Sequence, residues 1–267
     1  MIMTNKNLQE KYEDVYKKGK EEFFSRFING KDISETDEVV WKSTDWSNKK
    51  VIDVGCGTGE TAAGIARLGA TSVLGIDYSD NAIKIANGRH NIENLNFKVG
   101  SFENIKSSTS DLFDVVLSLG TLEHMDNPKA VLHEMLSMVN KNGKVILSCP
   151  YFINIRGVVW MTLALALDVP MSLTDKHFIS PFDIKEWLMG TGFELSKTTY
   201  FDYERANGAL MLDDLDKRLK NALKDAELPV EGVPKLMEFL TNVVNHESNS
   251  LQAMNGSSAL YIIDREK

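Results

Sequence analysis

Apolar residues recur at helical spacing near the N-terminus: Leu8, Tyr12, Val15, Tyr16, Phe23 and Phe27, with lysine and glutamate between them. The pattern predicts an amphipathic helix interrupted near Gly19. Ser34, Thr36, Asp37, Ser43, Asp45 and Ser47 follow and read as a polar, turn-rich stretch. From residue 50 the period changes. Short apolar runs at 50–54, 71–77, 95–99, 113–118 and 144–149 read as strands, and the segments between them read mainly as helices. Gly69 stops the helix at 61–68, and Ser79 or Asp80 caps the next one. Asn127-Pro128 sets a cap before a proline at the first helical position. A further capped helix opens at Ser180-Pro181, and the runs at 193–201 and 259–263 have strand character.

Strands alternating with helices mean parallel strands joined by right-handed crossovers, with helices on both faces of the sheet. Near-continuous Val, Ile and Leu in the strands fits a sheet buried on both sides. The expected fold is therefore α/β and doubly wound. Two segments fall outside the alternation. Residues 151–175 are apolar and bulky, while 206–256 hold two expected helices, near 210–226 and 233–245. Both read as insertions into the core.

Composition narrows the function. The chain of 267 residues carries a formal net charge of −8 and a pI near 5.2. That balance argues against a nucleic-acid partner held by phosphate neutralisation, which needs a basic face, and against docking on anionic lipid. Cys56 and Cys149 show neither a disulfide framework nor metal-ligand spacing, which fits a reducing compartment. The polar, lysine-rich start lacks the apolar core of a secretory signal. The most apolar stretch, 157–167, is about half the length of a membrane span. The expected location is the cytoplasm.

The densest chemistry lies at Val51-Ile-Asp-Val-Gly-Cys-Gly-Thr-Gly-Glu60, a strand running into Gly55, Gly57 and Gly59 at the mouth of a helix. Glycines there let the backbone turn sharply and let a ligand lie against bare main chain. Such a loop occupies the carboxyl edge of the first strand, where open α/β sheets bind ligands. Asp77 ends the second strand, 22 residues after Gly55, where a carboxylate can accept both hydroxyls of a ribose. A dinucleotide or S-adenosylmethionine fits this outline. The dinucleotide fingerprint wants a further glycine where Glu60 stands, and a pyrophosphate is repelled by Asp53 and Glu60. A sulfonium and an ammonium are attracted by the same carboxylates.

These residues resemble the class I S-adenosylmethionine-dependent methyltransferases of the small-molecule type. Asp53-Val-Gly-Cys-Gly-Thr-Gly59 resembles their first motif, and Gly75-Ile-Asp77-Tyr-Ser79 the second. Val99-Gly-Ser-Phe102 falls where the family places its adenine-contacting loop, and Phe113 to Ser118 with Leu122-Glu-His124 resembles the fourth motif. The resemblance covers roughly residues 46–150 and extends to Gly-Phe-Glu194 and the last strand. It implies that Asp53 and the glycines lie against the methionine moiety, that Asp77 holds the ribose, and that residues after the third strand flank the adenine. The candidate cofactor residues are Asp53, Gly55, Gly57, Thr58, Gly59, Asp77, Tyr78, Ser101, Phe102 and Leu119, with S-adenosylhomocysteine as product. Ser101 stands where the family often has an acidic acceptor for the adenine amino group; serine still accepts one hydrogen bond.

The implied fold is a seven-stranded, mostly parallel, Rossmann-like sandwich with the last strand antiparallel. Residues 1–45 form an N-terminal helical cap. Residues 46–205 and 257–267 form the core, with 151–175 as a lid-like insertion and 206–256 as a helical insertion. The implied activity is methyl transfer to a small, partly hydrophobic acceptor, at a hydroxyl. A hydroxyl acceptor needs a base, and the candidates are His124, after the fourth strand, and His177, in the segment before the helix at Ser180-Pro181. Similar quinone-pathway O-methyltransferases carry a metal-site glutamate where Gly120 stands, so no full metal site is expected. The helix near 210–226 caps the site or makes a homodimer face. Rival readings are a protein or RNA methyltransferase, an NAD-dependent dehydrogenase and a non-catalytic scaffold.

Overall fold

The structure, a computed structural model, describes residues 13, 17, 34–101, 111–169, 175–246 and 255–267. The N-terminal amphipathic pattern, with Tyr12 and Tyr16, lies outside these residues, as does Phe102. The chain forms two compact units. One comprises Met1–Cys149, Pro181–Thr198 and Leu260–Lys267; the other comprises Pro150–Ser180 and Thr199–Ala259.

The first unit is built on a seven-stranded sheet. Its strands are β1 (Lys50–Val54), β2 (Ser72–Asp77), β3 (Leu95–Val99), β4 (Phe113–Leu119), β5 (Val139–Pro150), β6 (Phe193–Phe201) and β7 (Ser258–Arg265), in the order β3-β2-β1-β4-β5-β7-β6. The pairs β1–β2, β1–β4, β2–β3 and β4–β5 are parallel. β7 runs antiparallel to β6, because Glu266 bonds Gly192 while Ser196 bonds Ile262. Strand order reverses between β1 and β4, and the crevice above that reversal is the usual ligand position in open α/β sheets. Register brings Asp53 level with Gly75 and Leu117, and Asp77 level with Val99. The candidate loop residues thus converge on one sheet edge.

The helices of this unit are α1 (Glu35–Trp41), α2 (Glu60–Arg67), α3 (Asp80–Arg89), α4 (Pro128–Ser137) and, later in the chain, α6 (Pro181–Leu188). Ser79 caps α3 by accepting from Ala82 N, and Asn127 caps α4 by accepting from Ala130 N, with Pro128 in the first turn. α1 replaces the first part of the turn-rich stretch expected at 34–47, while residues 42–48 keep it, with Asp45 accepting from Ser47 N at 2.9 Å. Ser34 and Asp37 form a capping box, each side chain accepting from the other's backbone N–H. Ser34 and Asp37 thus serve a helix end and not a loop. β5 also begins earlier than expected. Val139 already pairs with Phe113, and the Asn142-Gly143 pair is absorbed where the register shifts between Phe113 and Val115.

The second unit contains α5 (Ile155–Leu167), α7 (Tyr203–Asn207), α8 (Ala209–Asp225) and α9 (Val233–His246). Trp160, Met211, Leu215, Leu219, Val233 and Leu240 make its core. The two apolar segments that read as separate insertions therefore share one hydrophobic core. Arg156 and Arg218 flank Asp214 at 2.8 and 3.1 Å, and the Arg218 guanidinium stacks over the Trp160 ring at 4.7 Å. α5 is not wholly core: Val158 and Leu165 are 58% and 71% exposed. An apolar groove of about 340 Å3 runs between α5, α8 and α9, lined by Val158, Leu163, Leu219, Leu223, Val233 and Leu236. Among the described residues no helix is long and apolar enough to cross a membrane.

Candidate active site

The glycine loop is fastened to β2. Gly55 N and Cys56 N both donate to Ile76 O, at 2.8 and 2.9 Å, and Gly59 N closes the loop on Cys56 O at 3.0 Å. Gly55, Gly57 and Gly59 all have positive φ. At two of them a side chain is also excluded by contact. A Cβ on Gly55 would lie 2.5 Å from the Thr121 hydroxyl, and one on Gly59 would lie 2.4 Å from the Phe97 ring. The chain therefore passes over the sheet edge as bare backbone, and α2 starts directly from it.

Asp77 ties the second motif to the first. One carboxylate oxygen accepts from Gly57 N at 3.0 Å and the other from Ser79 N at 2.8 Å, while Asp77 O accepts from Gly100 N at 2.9 Å. Each oxygen keeps a lone pair for a further donor. Burial raises the Asp77 carboxyl above its ordinary range, opposed by those two backbone bonds. Ser101 follows β3, and Tyr78 follows Asp77 directly, both half-buried. Leu119 ends β4, where its carbonyl accepts from the Thr121 hydroxyl at 2.9 Å. Thr58 donates to Glu60 at 2.5 Å, and its own carbonyl meets His90 at 3.1 Å.

Glu60 does not face the loop as a lone charge, because Arg89 pairs with it at 3.0 Å. The negative character of the site comes instead from Asp53 and Asp77. Asp53 is 2% exposed, and among the described residues nothing donates a hydrogen bond to it. Burial, then the charges of Asp37 and Asp77, push its carboxyl up to about 8. A cationic ligand moiety relieves that repulsion, whereas a pyrophosphate adds to it. The bare cradle and the buried acids together fit S-adenosylmethionine.

The raised Asp53 carboxyl has a testable consequence. A carboxyl that binds its proton more tightly in the folded state adds stability at low pH, and that stability is lost as pH rises from its ordinary range through about 8. The expected result is that Asp53→Asn raises the Tm of the ligand-free protein at pH 9 by roughly 5 °C, yet weakens S-adenosylmethionine binding. Thermal melts across pH check it; equal Tm values for both proteins at pH 9 would remove the strain from Asp53.

His124 ends a short 3-10 turn, Leu122–His124, three residues after the Thr121 side chain that touches Gly55. It is half-buried on the ligand edge of the first unit. His177 belongs to the second unit, half-buried beside Phe178, whose ring packs edge-on to Phe152 at 5.3 Å. Thr121 and Phe97 pack against the glycine loop although no sequence motif names them. Thr121 and Phe97 occupy the space that glycine leaves, and only the folded contacts show this.

Comparison with known proteins gives the family. The family described as "Methyltransferase domain" matches residues 45–180. The ubiquinone biosynthesis O-methyltransferase of Xanthomonas euvesicatoria pv. vesicatoria (strain 85-10) is 28% identical over 176 residues, 62% of this chain and 72% of that protein. Its mitochondrial counterpart from Schizosaccharomyces pombe is 35% identical over 116 residues, 42% of this chain and 41% of that one. For the first bacterial relatives the match spans 66% to 72% of their length. Among solved structures, the magnesium protoporphyrin IX methyltransferase of Synechocystis PCC 6803, crystallised with bound S-adenosylhomocysteine, superposes with a TM-score of 0.57 at 14% identity, covering 97% of this chain and 99% of that one. The family match takes in half of the chain and all of the glycine cradle, so the chain belongs to the methyltransferase-domain family and is an S-adenosylmethionine-dependent methyltransferase of the class I fold.

Proposed function

We propose that the enzyme methylates a hydroxyl oxygen of a small, partly hydrophobic molecule. The observation that carries this reading is the likeness to ubiquinone biosynthesis O-methyltransferases, which spans 62% of the chain in the bacterial case. When bound, S-adenosylmethionine supplies an electrophilic methyl group and leaves as S-adenosylhomocysteine. The chain's own task is to align the acceptor oxygen, exclude water and remove the hydroxyl proton. His124 is the base proposed for that proton, supported by its place on the ligand edge next to Thr121. His177 is the second candidate, supported by its position after the fifth strand. The partly hydrophobic character of the acceptor is read from the apolar, bulky segment that follows the fifth strand. A cytoplasmic location accords with Cys56 and Cys149 forming no disulfide.

The test is S-adenosylhomocysteine release from a panel of phenols, catechols and aliphatic alcohols set against matched primary amines. Release with hydroxyl compounds alone supports the proposal; release with amines alone contradicts it. With an active hydroxyl acceptor, His124→Ala should lower kcat roughly 100-fold and leave the Kd for S-adenosylhomocysteine within about twofold. An unchanged kcat returns His124 to a packing role and directs the same substitution to His177.

A further inference from the structure

The middle of the glycine loop is held from the C-terminal end of α3. Thr58 stands between Gly57 and Gly59, whose φ values of +52° and +86° lie in the left-handed region. A segment built that way loses much conformational entropy when a ligand orders it, unless contacts from outside fix its peptides beforehand. His90 follows the last residue of α3, and its Nε2 meets Thr58 O at 3.1 Å. A carbonyl only accepts, so the ring nitrogen is the donor, and a neutral imidazole there must carry its proton on Nε2. At the other end of the same peptide, Gly59 N donates to Cys56 O at 3.0 Å. The Thr58–Gly59 peptide is therefore pinned at both ends.

The imidazole is itself set in place. Its side chain is 11% exposed. The ring lies beside Phe97, with centroids 6.2 Å apart, and Phe97 fills the space that Gly59 and Gly75 leave. One turn earlier on α3, the Ala86 methyl would lie 3.2 Å from a Cβ on Gly59. Ala86 and His90, four residues apart, thus face the loop together. Glu60 completes the cluster: it lies 4.0 Å from His90 Nε2, accepts from the Thr58 hydroxyl and pairs with Arg89.

We infer that His90 is a positioning residue of the cofactor site: its Nε2–H holds the Thr58 carbonyl and so presets the Gly57–Thr58–Gly59 turn for S-adenosylmethionine. The inference rests on the S-adenosylmethionine reading of the loop, and His90 acts on the cofactor through that loop. Closing the end of α3 does not require the imidazole, because the His90 backbone N–H does that by donating to Ala86 O at 2.9 Å. Packing beside Phe97 needs a flat ring and no donor. Holding Thr58 O needs a donor at the place of Nε2 and no ring. The two roles therefore part under substitution.

The test compares His90→Phe, which keeps a ring and loses the donor, with His90→Gln, which loses the ring and keeps an amide N–H at a similar reach. Calorimetry with S-adenosylhomocysteine is run on the wild type and on both variants. His90→Phe should bind about tenfold more weakly, because Thr58 O loses its partner. His90→Gln should restore the affinity to within about threefold of the wild type. Wild-type affinity in His90→Phe, or an equal loss in both variants, would overturn the inference and leave His90 as a packing residue. Should His90→Phe fail to fold, long-range 1H–15N spectra of the wild type decide. They should show a His90 ring proton on Nε2 that exchanges slowly with water, whereas a proton on Nδ1 alone contradicts the bond to Thr58. No binding of S-adenosylhomocysteine to the wild type would contradict the cofactor reading beneath the inference.

Discussion

Asp77→Ala should lose roughly 100-fold or more of the affinity for S-adenosylhomocysteine, measured by calorimetry, while the protein still melts cooperatively. The carboxylate stands at the carboxyl end of β2 with one bond from Gly57 N and one from Ser79 N. Those bonds aim the two oxygens and leave a lone pair on each for a ribose hydroxyl. A hydrogen bond to a charged acceptor contributes about 1.5–3 kcal/mol, so the loss of two gives at least about 3 kcal/mol, or more than 100-fold in Kd. The substitution also leaves two backbone donors without their acceptor, which loosens the glycine loop and adds to the loss. Asp77→Asn keeps one oxygen and should fall between the wild type and the alanine variant. Wild-type affinity in Asp77→Ala would take Asp77 out of the cofactor site.

Gly55→Ala is the second large effect. Its φ of +78° is left-handed, and its missing Cβ leaves room for Thr121, whose hydroxyl and methyl would lie 2.5 and 2.8 Å from an added carbon. Backbone strain and the clash together amount to about 2–4 kcal/mol, which the loop relieves by moving. Because Gly55 N is bonded to Ile76 O at 2.8 Å, that movement breaks the fastening of the loop to β2. The expected outcome is a Tm lower by several degrees and a cofactor affinity lower by at least tenfold. Thr121→Ala removes the two closest atoms and leaves only Cβ at 3.2 Å. The double variant should therefore recover part of the affinity, and the double-mutant cycle measures that coupling. A purely additive cycle would show that Thr121 does not set the loop.

Much of this arrangement is legible in the sequence because it depends on local rules. The alternation of apolar runs with capped helices yields the parallel sheet, and Asn127-Pro128 or Ser79 mark helix starts through their own side chains. Gly55, Gly57 and Gly59 are readable because a sharp turn at positive φ requires that residue type, and Asp53 and Asp77 because carboxylates near strand ends stand out in otherwise apolar runs. α1 was not readable in the same way. Ser34 and Asp37 are polar and resemble turn residues, and the apolar partners that make the segment a helix, Val40 and Trp41, count only when packed on α2. The shared core of the second unit was equally hidden. Trp160 and Met211 are far apart in sequence, and only tertiary contact joins them. The sequence also assigned the repulsive charge to Glu60 together with Asp53, and the ion pair of Glu60 with Arg89 depends on α3 lying beside α2.

The most direct test uses S-adenosylmethionine carrying a 13C methyl group, incubated with the purified enzyme and a small-molecule extract, with products separated and read by NMR. The account predicts label in a methoxy group of a small, partly apolar compound, together with an equivalent amount of S-adenosylhomocysteine. Label confined to N-methyl groups, to protein or to RNA, or no transfer despite cofactor binding, would contradict it.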